Sequence, residues 1–186
     1  MNLFYEEYQG SVWVQGEEIP IITDFREYVK LLDMLRDDSL DAYTKFEFVK
    51  QYFKKEPEDF PEAFDKLMDF ASMEELNTEE QPEQEQESGK DVYSFSIDYP
   101  FIFSAFLRDY GINLKTIRYM HWWEFKLLFE GLSEDTEIKQ RIMYRSINLA
   151  EIKDKEERKR IEKIQRAIRL PENRLTDYEI GDAFGW

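Results

Sequence analysis

The sequence predicts a mainly α fold with a small N-terminal β-hairpin and an acidic disordered linker. Three observations carry that prediction. Apolar residues recur at helical spacing in seven segments, whereas period-two alternation is confined to short runs beside Gly16 and at Tyr93–Ile97. Residues 74–91 hold seven glutamates, three glutamines, a proline and a glycine against one leucine, too little apolar surface to offset chain entropy. The chain therefore divides into a hairpin plus helical part (1–73), an acidic linker (74–91), a helical part (92–170) and a C-terminal tail (171–186).

In the first part, Val12 and Val14 alternate before Gly16, and Ile19 and Ile21 after it, which reads as a hairpin with Gly16 at a positive-φ turn position. A lone hairpin is marginal, so it should lean on the following helices or on the Tyr93–Ile97 run. Asp24 and Glu27 form a capping box for a helix with Phe25, Tyr28, Val29, Leu32 and Leu35 on one stripe. Helices over about 39–53 and 61–73 follow, the latter with Phe64, Leu67, Met68 and Ala71 on one side.

The second part is organised around Tyr93–Leu132, which has the densest aromatic content, both central tryptophans and the single histidine. A strand-like Tyr93, Phe95, Ile97 alternation ends at Asp98, a cap for a helix that tolerates Pro100 in its first turn and stops at Gly111. Its core side carries Ile102, Phe103, Phe106, Leu107 and Tyr110, and a buried helix from about Thr116 to Phe129 should follow. Phe95, Phe103, Phe106, Tyr110, Trp123 and Leu127 are the expected core. Ser133 or Asp135 opens another helix with Ile138, Ile142 and Arg145 on one face, and Lys155–Ile168 forms the last long one before Pro171.

Two function classes find little support. With one histidine and no cysteine, a nucleophilic triad would have to use His121, whose tryptophan neighbours suit a core ring better than a general base. Scattered carboxylates lack metal-site spacing, and there is no glycine-rich phosphate loop. The expectation is no catalysis, no cofactor and no metal. No apolar run approaches the roughly 18 residues that span a bilayer, the N-terminus lacks a basic signal-peptide start, and the absence of cysteine suits a reducing cytoplasm, so neither membrane nor secretion is expected.

Charge is lopsided. Residues 1–91 carry 9 basic and 25 acidic side chains, whereas 138–169 carry 11 basic and 5 acidic, within a formal total of −16. The acidic half disfavours nucleic acid, and the basic helix lacks the interleaved aromatics of a nucleic-acid groove. Partner-binding candidates are apolar: adjacent indoles diverge by about 100° on a helix, so Trp122 could face outward as an anchor. In the tail, Ile180, Phe184 and Trp186 form a second apolar set.

Tyr93, Phe95, Asp98, Ile102, Ala105, Phe106, Tyr110, Gly111, Ile112, Leu114, His121, Trp122, Trp123, Phe125, Leu128, Gly131 and Leu132 follow one pattern, preceded by Gly16, Ile21, Thr23, Asp24, Phe25 and Arg26. The pattern resembles that of the bacteriophage gene-product-fifteen family over nearly the whole chain, apart from the acidic middle and the last fifteen or so residues. The resemblance implies a tail assembly chaperone in the bacterial host cytoplasm, with the tape-measure protein and tail tube protein as partners and self-association open to it. Two rivals remain: a structural tail or connector subunit of the virion, and an acidic DNA mimic that inhibits a host protein.

Overall fold

The computed structural model describes residues 4–73 and 92–170. Among them are two strands, β1 (Ser11–Val14) and β2 (Glu17–Pro20), and seven helices: α1 (Phe25–Leu35), α2 (Ala42–Lys50), α3 (Phe60–Ser72), α4 (Tyr99–Tyr110), α5 (Trp122–Glu130), α6 (Glu137–Ser146) and α7 (Lys155–Ala167). The fold is mainly α with one hairpin. The predicted linker and tail lie outside the described residues. Backbone packing groups 4–73 with 119–126 as one compact unit, and 92–118 with 127–170 as another. Sequence reading put the whole His-Trp-Trp region with the second part, but Tyr119–Lys126 pack with the first.

In the first unit, Val12 faces Ile19 and Val14 faces Glu17 across the hairpin. Gln15 (φ 50°) joins Gly16 (φ 78°) in the positive-φ region, because a two-residue loop that matches strand twist needs both central residues there. Val12, Val14, Ile19 and Ile21 are buried, with β1 against α3. The Ile22 N–H donates to the Tyr52 carbonyl (2.9 Å) and the Lys54 N–H to the Pro20 carbonyl (2.8 Å). That pairing takes residues 52–54 out of α2, which is shorter than the sequence suggested. Asp24 caps α1 by accepting from the Arg26 N–H (2.9 Å), one residue earlier than the capping-box geometry. At the other end of α1, buried Lys45 donates to the Leu35 carbonyl (2.7 Å), filling an acceptor left open by the helix terminus.

Between residues 93 and 122 three expectations are corrected. Tyr93–Ile97 is not a strand: the Asp98 N–H donates to the Ser94 carbonyl (2.8 Å) and the Ser94 N–H to the Asp98 carboxylate (3.0 Å), closing a turn that sets Tyr93 and Phe95 against Phe129. Asp98 stands at the α4 N-cap but makes no side-chain cap bond, because its carboxylate is engaged elsewhere. No helix begins at Thr116 either. Residues 113–117 turn on the Asn113 carbonyl, and the helix starts only at Trp122, after the Met120 carbonyl and Trp122 N–H have paired with Phe25 and Thr23. Gly111, in contrast, stops α4 in the left-handed conformation expected of it (φ 67°).

Asp98 is engaged by Arg145. Nη1 and Nη2 donate to its two carboxylate oxygens (2.6 and 3.0 Å), and both side chains are nearly inaccessible to solvent. Arg145 also donates to the carbonyls of Val92 (3.1 Å) and Ile168 (2.8 Å), tying the segment before α4 and the end of α7 to α6. Thr136, and not Ser133 or Asp135, caps α6: residues 133–136 close a turn through the Thr136 N–H and the Ser133 carbonyl (3.0 Å), the Thr136 hydroxyl accepts from the Lys139 N–H, and the Asp135 carboxylate pairs with Arg108. Gln165 on α7 donates to the Tyr144 and Ile147 carbonyls (both 2.8 Å) at the end of α6.

Replacing Arg145 by Ala leaves a buried carboxylate unpaired, so it should destabilise by about 3–5 kcal/mol in urea denaturation. The double replacement Asp98→Asn, Arg145→Met should lose clearly less than the single one. Equal losses would mean that the pair is not what holds these segments.

Candidate functional site

The His-Trp-Trp run lies at the start of α5, where helix geometry leaves backbone N–H groups without partners. His121 meets one of these needs. Its Nδ1 accepts from the Trp123 N–H (3.1 Å), so the ring itself caps the helix, while the Trp122 N–H reaches the Thr23 carbonyl (2.8 Å). With Nδ1 an acceptor, Nε2 carries the proton and donates to the Gln9 carbonyl (2.9 Å). Both ring nitrogens are thus committed. Tyr8 stacks on the imidazole with centroids 4.6 Å apart, and Phe70 and Trp123 approach it edge-on.

The two indoles serve one neighbour. Trp122 Nε1 donates to the Ala71 carbonyl and Trp123 Nε1 to the Phe70 carbonyl, each at 2.8 Å. Those acceptors lie in the last turn of α3, where helical donors run out; the Phe70 carbonyl also accepts from the N–H of the capping residue Met73 (3.2 Å). Trp122 stacks on Tyr28 and Trp123 on Phe70, at centroid distances of 5.3 and 5.1 Å. Trp122 is 1% exposed and Trp123 not at all, which overturns the expectation that Trp122 faces outward. The end of α3 sits against the first turn of α5, close enough for both diverging rings to reach it.

Of the expected core residues, Phe95 and Phe106 are buried and Phe103 and Tyr110 half-buried, with the Tyr110 hydroxyl donating to the Leu128 carbonyl (2.8 Å). Leu127 is 39% exposed, a departure from its predicted burial. It lies on the side of α5 opposite the buried face that Phe125 and Phe129 share. Ile180, Phe184 and Trp186 lie outside the described residues. Sequence reading missed the exposed aromatics Trp13 and Tyr99, which strand and helix periodicity place on outer faces, and Tyr119 in the loop before α5. It also missed Tyr8 and Gln9, since no local pattern announces a partner 112 residues away.

Burial pushes the His121 pKa below its ordinary 6.5, with the Gln9 hydrogen bond opposing. Burial likewise raises the pKa of Tyr28 and of Tyr52, whose hydroxyls donate to the Ile22 and Glu27 carbonyls (2.8 and 2.6 Å). Among the described residues no group of three or more His, Cys, Asp or Glu is placed to hold a metal, and no helix is long and apolar enough to cross a membrane. The arrangement orders helix ends and keeps the histidine neutral.

Among protein families, the model described as bacteriophage Gp15 protein matches residues 5–170. No curated protein and no solved structure matches the chain.

Two outcomes follow for this cluster. Trp122→Ala should destabilise by about 3–5 kcal/mol, read from denaturant midpoints, through lost packing and an open Ala71 acceptor. A loss below about 1 kcal/mol would contradict its buried role. His121 binds a proton more readily in the unfolded chain than in the folded one. Its contribution is therefore complete above about pH 6.5 and declines as pH falls below that value. His121→Asn, which keeps a capping acceptor, should show a shallower fall of the thermal midpoint between about pH 7 and 5 than the parent chain. Parallel profiles would refute the neutral-cap assignment.

Proposed function

The chain belongs to the bacteriophage Gp15 protein family and is a bacteriophage protein. From that premise, we propose that it is a non-enzymatic tail assembly chaperone, which binds the tape-measure protein in the host cytoplasm and helps recruit tail tube subunits. The family match over residues 5–170 is the observation that carries this reading. The engagement of both His121 nitrogens in structural bonds supports the non-enzymatic part, since the ring is then not poised as a base.

A tape-measure chain presents amphipathic helices that aggregate before the tube encloses them. Covering their apolar faces while carrying a net charge of −16 keeps the complex dispersed until tube subunits displace the chaperone. With Trp122 buried, the contacts fall to exposed apolar side chains such as Trp13 (60%) on the first unit and Tyr99 (66%) and Leu107 (47%) on the second. Contacts that are individually weak but multiple allow both capture and release.

Co-expression with the adjacent tape-measure gene followed by affinity capture should recover a complex that survives salt raised from about 0.1 M to 1 M, where the Debye length falls from roughly 10 Å to 3 Å. The Trp13→Ala, Tyr99→Ala variant should retain stability within about 0.5 kcal/mol and capture less. Failure to capture the tape-measure protein, or stoichiometric presence of the chain in purified virions, would count against a chaperone. Salt-labile capture of a basic DNA-binding protein would favour the DNA mimic.

A further inference from the structure

The charge asymmetry has a structural counterpart on two helices. In the described residues of the first unit, 18 acidic side chains stand against 9 basic, and in the second 14 basic against 11 acidic. On α3, Glu62, Asp65 and Asp69 follow one another at intervals of three and four, spanning about 60° of the helix circumference. Asp65 is exposed and the other two partly so. On α7, Lys159, Lys163 and Arg166 follow at four and three, again within about 60°, and all three are exposed.

Laid antiparallel, the two rows coincide: Glu62 meets Arg166, Asp65 meets Lys163 and Asp69 meets Lys159. We propose that the acidic row of α3 in one copy of this chain docks on the basic row of α7 in a second copy, giving self-association. The occupant is fixed by charge complementarity in register. Asp65 and Lys163, at the centre, have no ion pair among the described residues, while the flanking charges have surface partners: Lys66 to Asp69 (3.0 Å), Glu156 to Lys159 (3.1 Å) and Glu162 to Arg166 (3.4 Å) within their own helices, and Gln15 of the hairpin loop to Glu62. Such exposed contacts are weak and exchange readily. Because donor and acceptor rows differ, the contact is heterologous.

This proposal stands independently of the chaperone reading, and sedimentation equilibrium of the full chain tests it. At about 0.05 M salt the average mass should exceed the 22.6 kDa of one chain and rise with protein concentration, and at about 1 M it should return to one chain. The α7 variant Lys159→Glu, Lys163→Glu, Arg166→Glu should stay monomeric at low salt with unchanged helical circular dichroism. So should the α3 variant Glu62→Lys, Asp65→Lys, Asp69→Lys. An equimolar mixture of the two should associate again, since each reversed row then faces an opposite one. A monomer at both salt concentrations, association undiminished in the α7 variant, or a mixture of folded variants that stays monomeric would each overturn the proposal. Should the α3 variant misfold, the α7 variant alone still decides.

Discussion

Two indole N–H groups donating to successive carbonyls at the end of α3 are the contact on which the first unit depends. A helix terminus buried without donors is unfavourable by roughly 1–3 kcal/mol for each stranded group, and α3 ends among apolar rings. Trp122 and Trp123 meet that requirement while contributing two of the largest fully buried side chains. They can do so only if α5 begins where it does. The start is fixed by the His121 cap and by the bridge that gives the Trp122 N–H to Thr23. The run of three residues thereby joins two helix ends: the first accepts from a backbone N–H at the start of α5, and the next two donate to backbone carbonyls at the end of α3.

The second unit uses a charged version of the same device. Arg145 is buried, yet its guanidinium meets two carboxylate oxygens and two carbonyls, so its desolvation is offset by bonds from several directions. The carbonyls it holds belong to Val92 and Ile168, near the two ends of the described second segment. One side chain on α6 thus holds residues near both ends of the 92–170 segment. Gln165 repeats the pattern in neutral form at the end of α6.

The helices and hairpin were legible because they rest on local patterns: the apolar stripe of α1, the left-handed Gly111, the turn at Gly16. What escaped was set by distant groups. Asp98 reads as a helix cap from its neighbours alone, and Arg145, 47 residues on, makes it an ion-pair partner instead. Tyr93–Ile97 alternates like a strand but forms a turn. The segment before Trp122 is apolar enough for helix, yet its backbone pairs with Thr23 and Phe25. Trp122 misled for a related reason. The divergence of adjacent helix positions is correct geometry, but the end of another helix can meet both rings at once.

The buried cluster and the exposed aromatics stand apart, and the account's central claim is that the His-Trp-Trp run belongs to the interior. Hydrogen exchange of the indole N–H groups, followed by NMR, tests this most directly. Trp122 and Trp123 should exchange only through opening of the fold, slowed by many orders of magnitude relative to the exposed Trp13. Exchange of either at the rate of Trp13 would contradict the account.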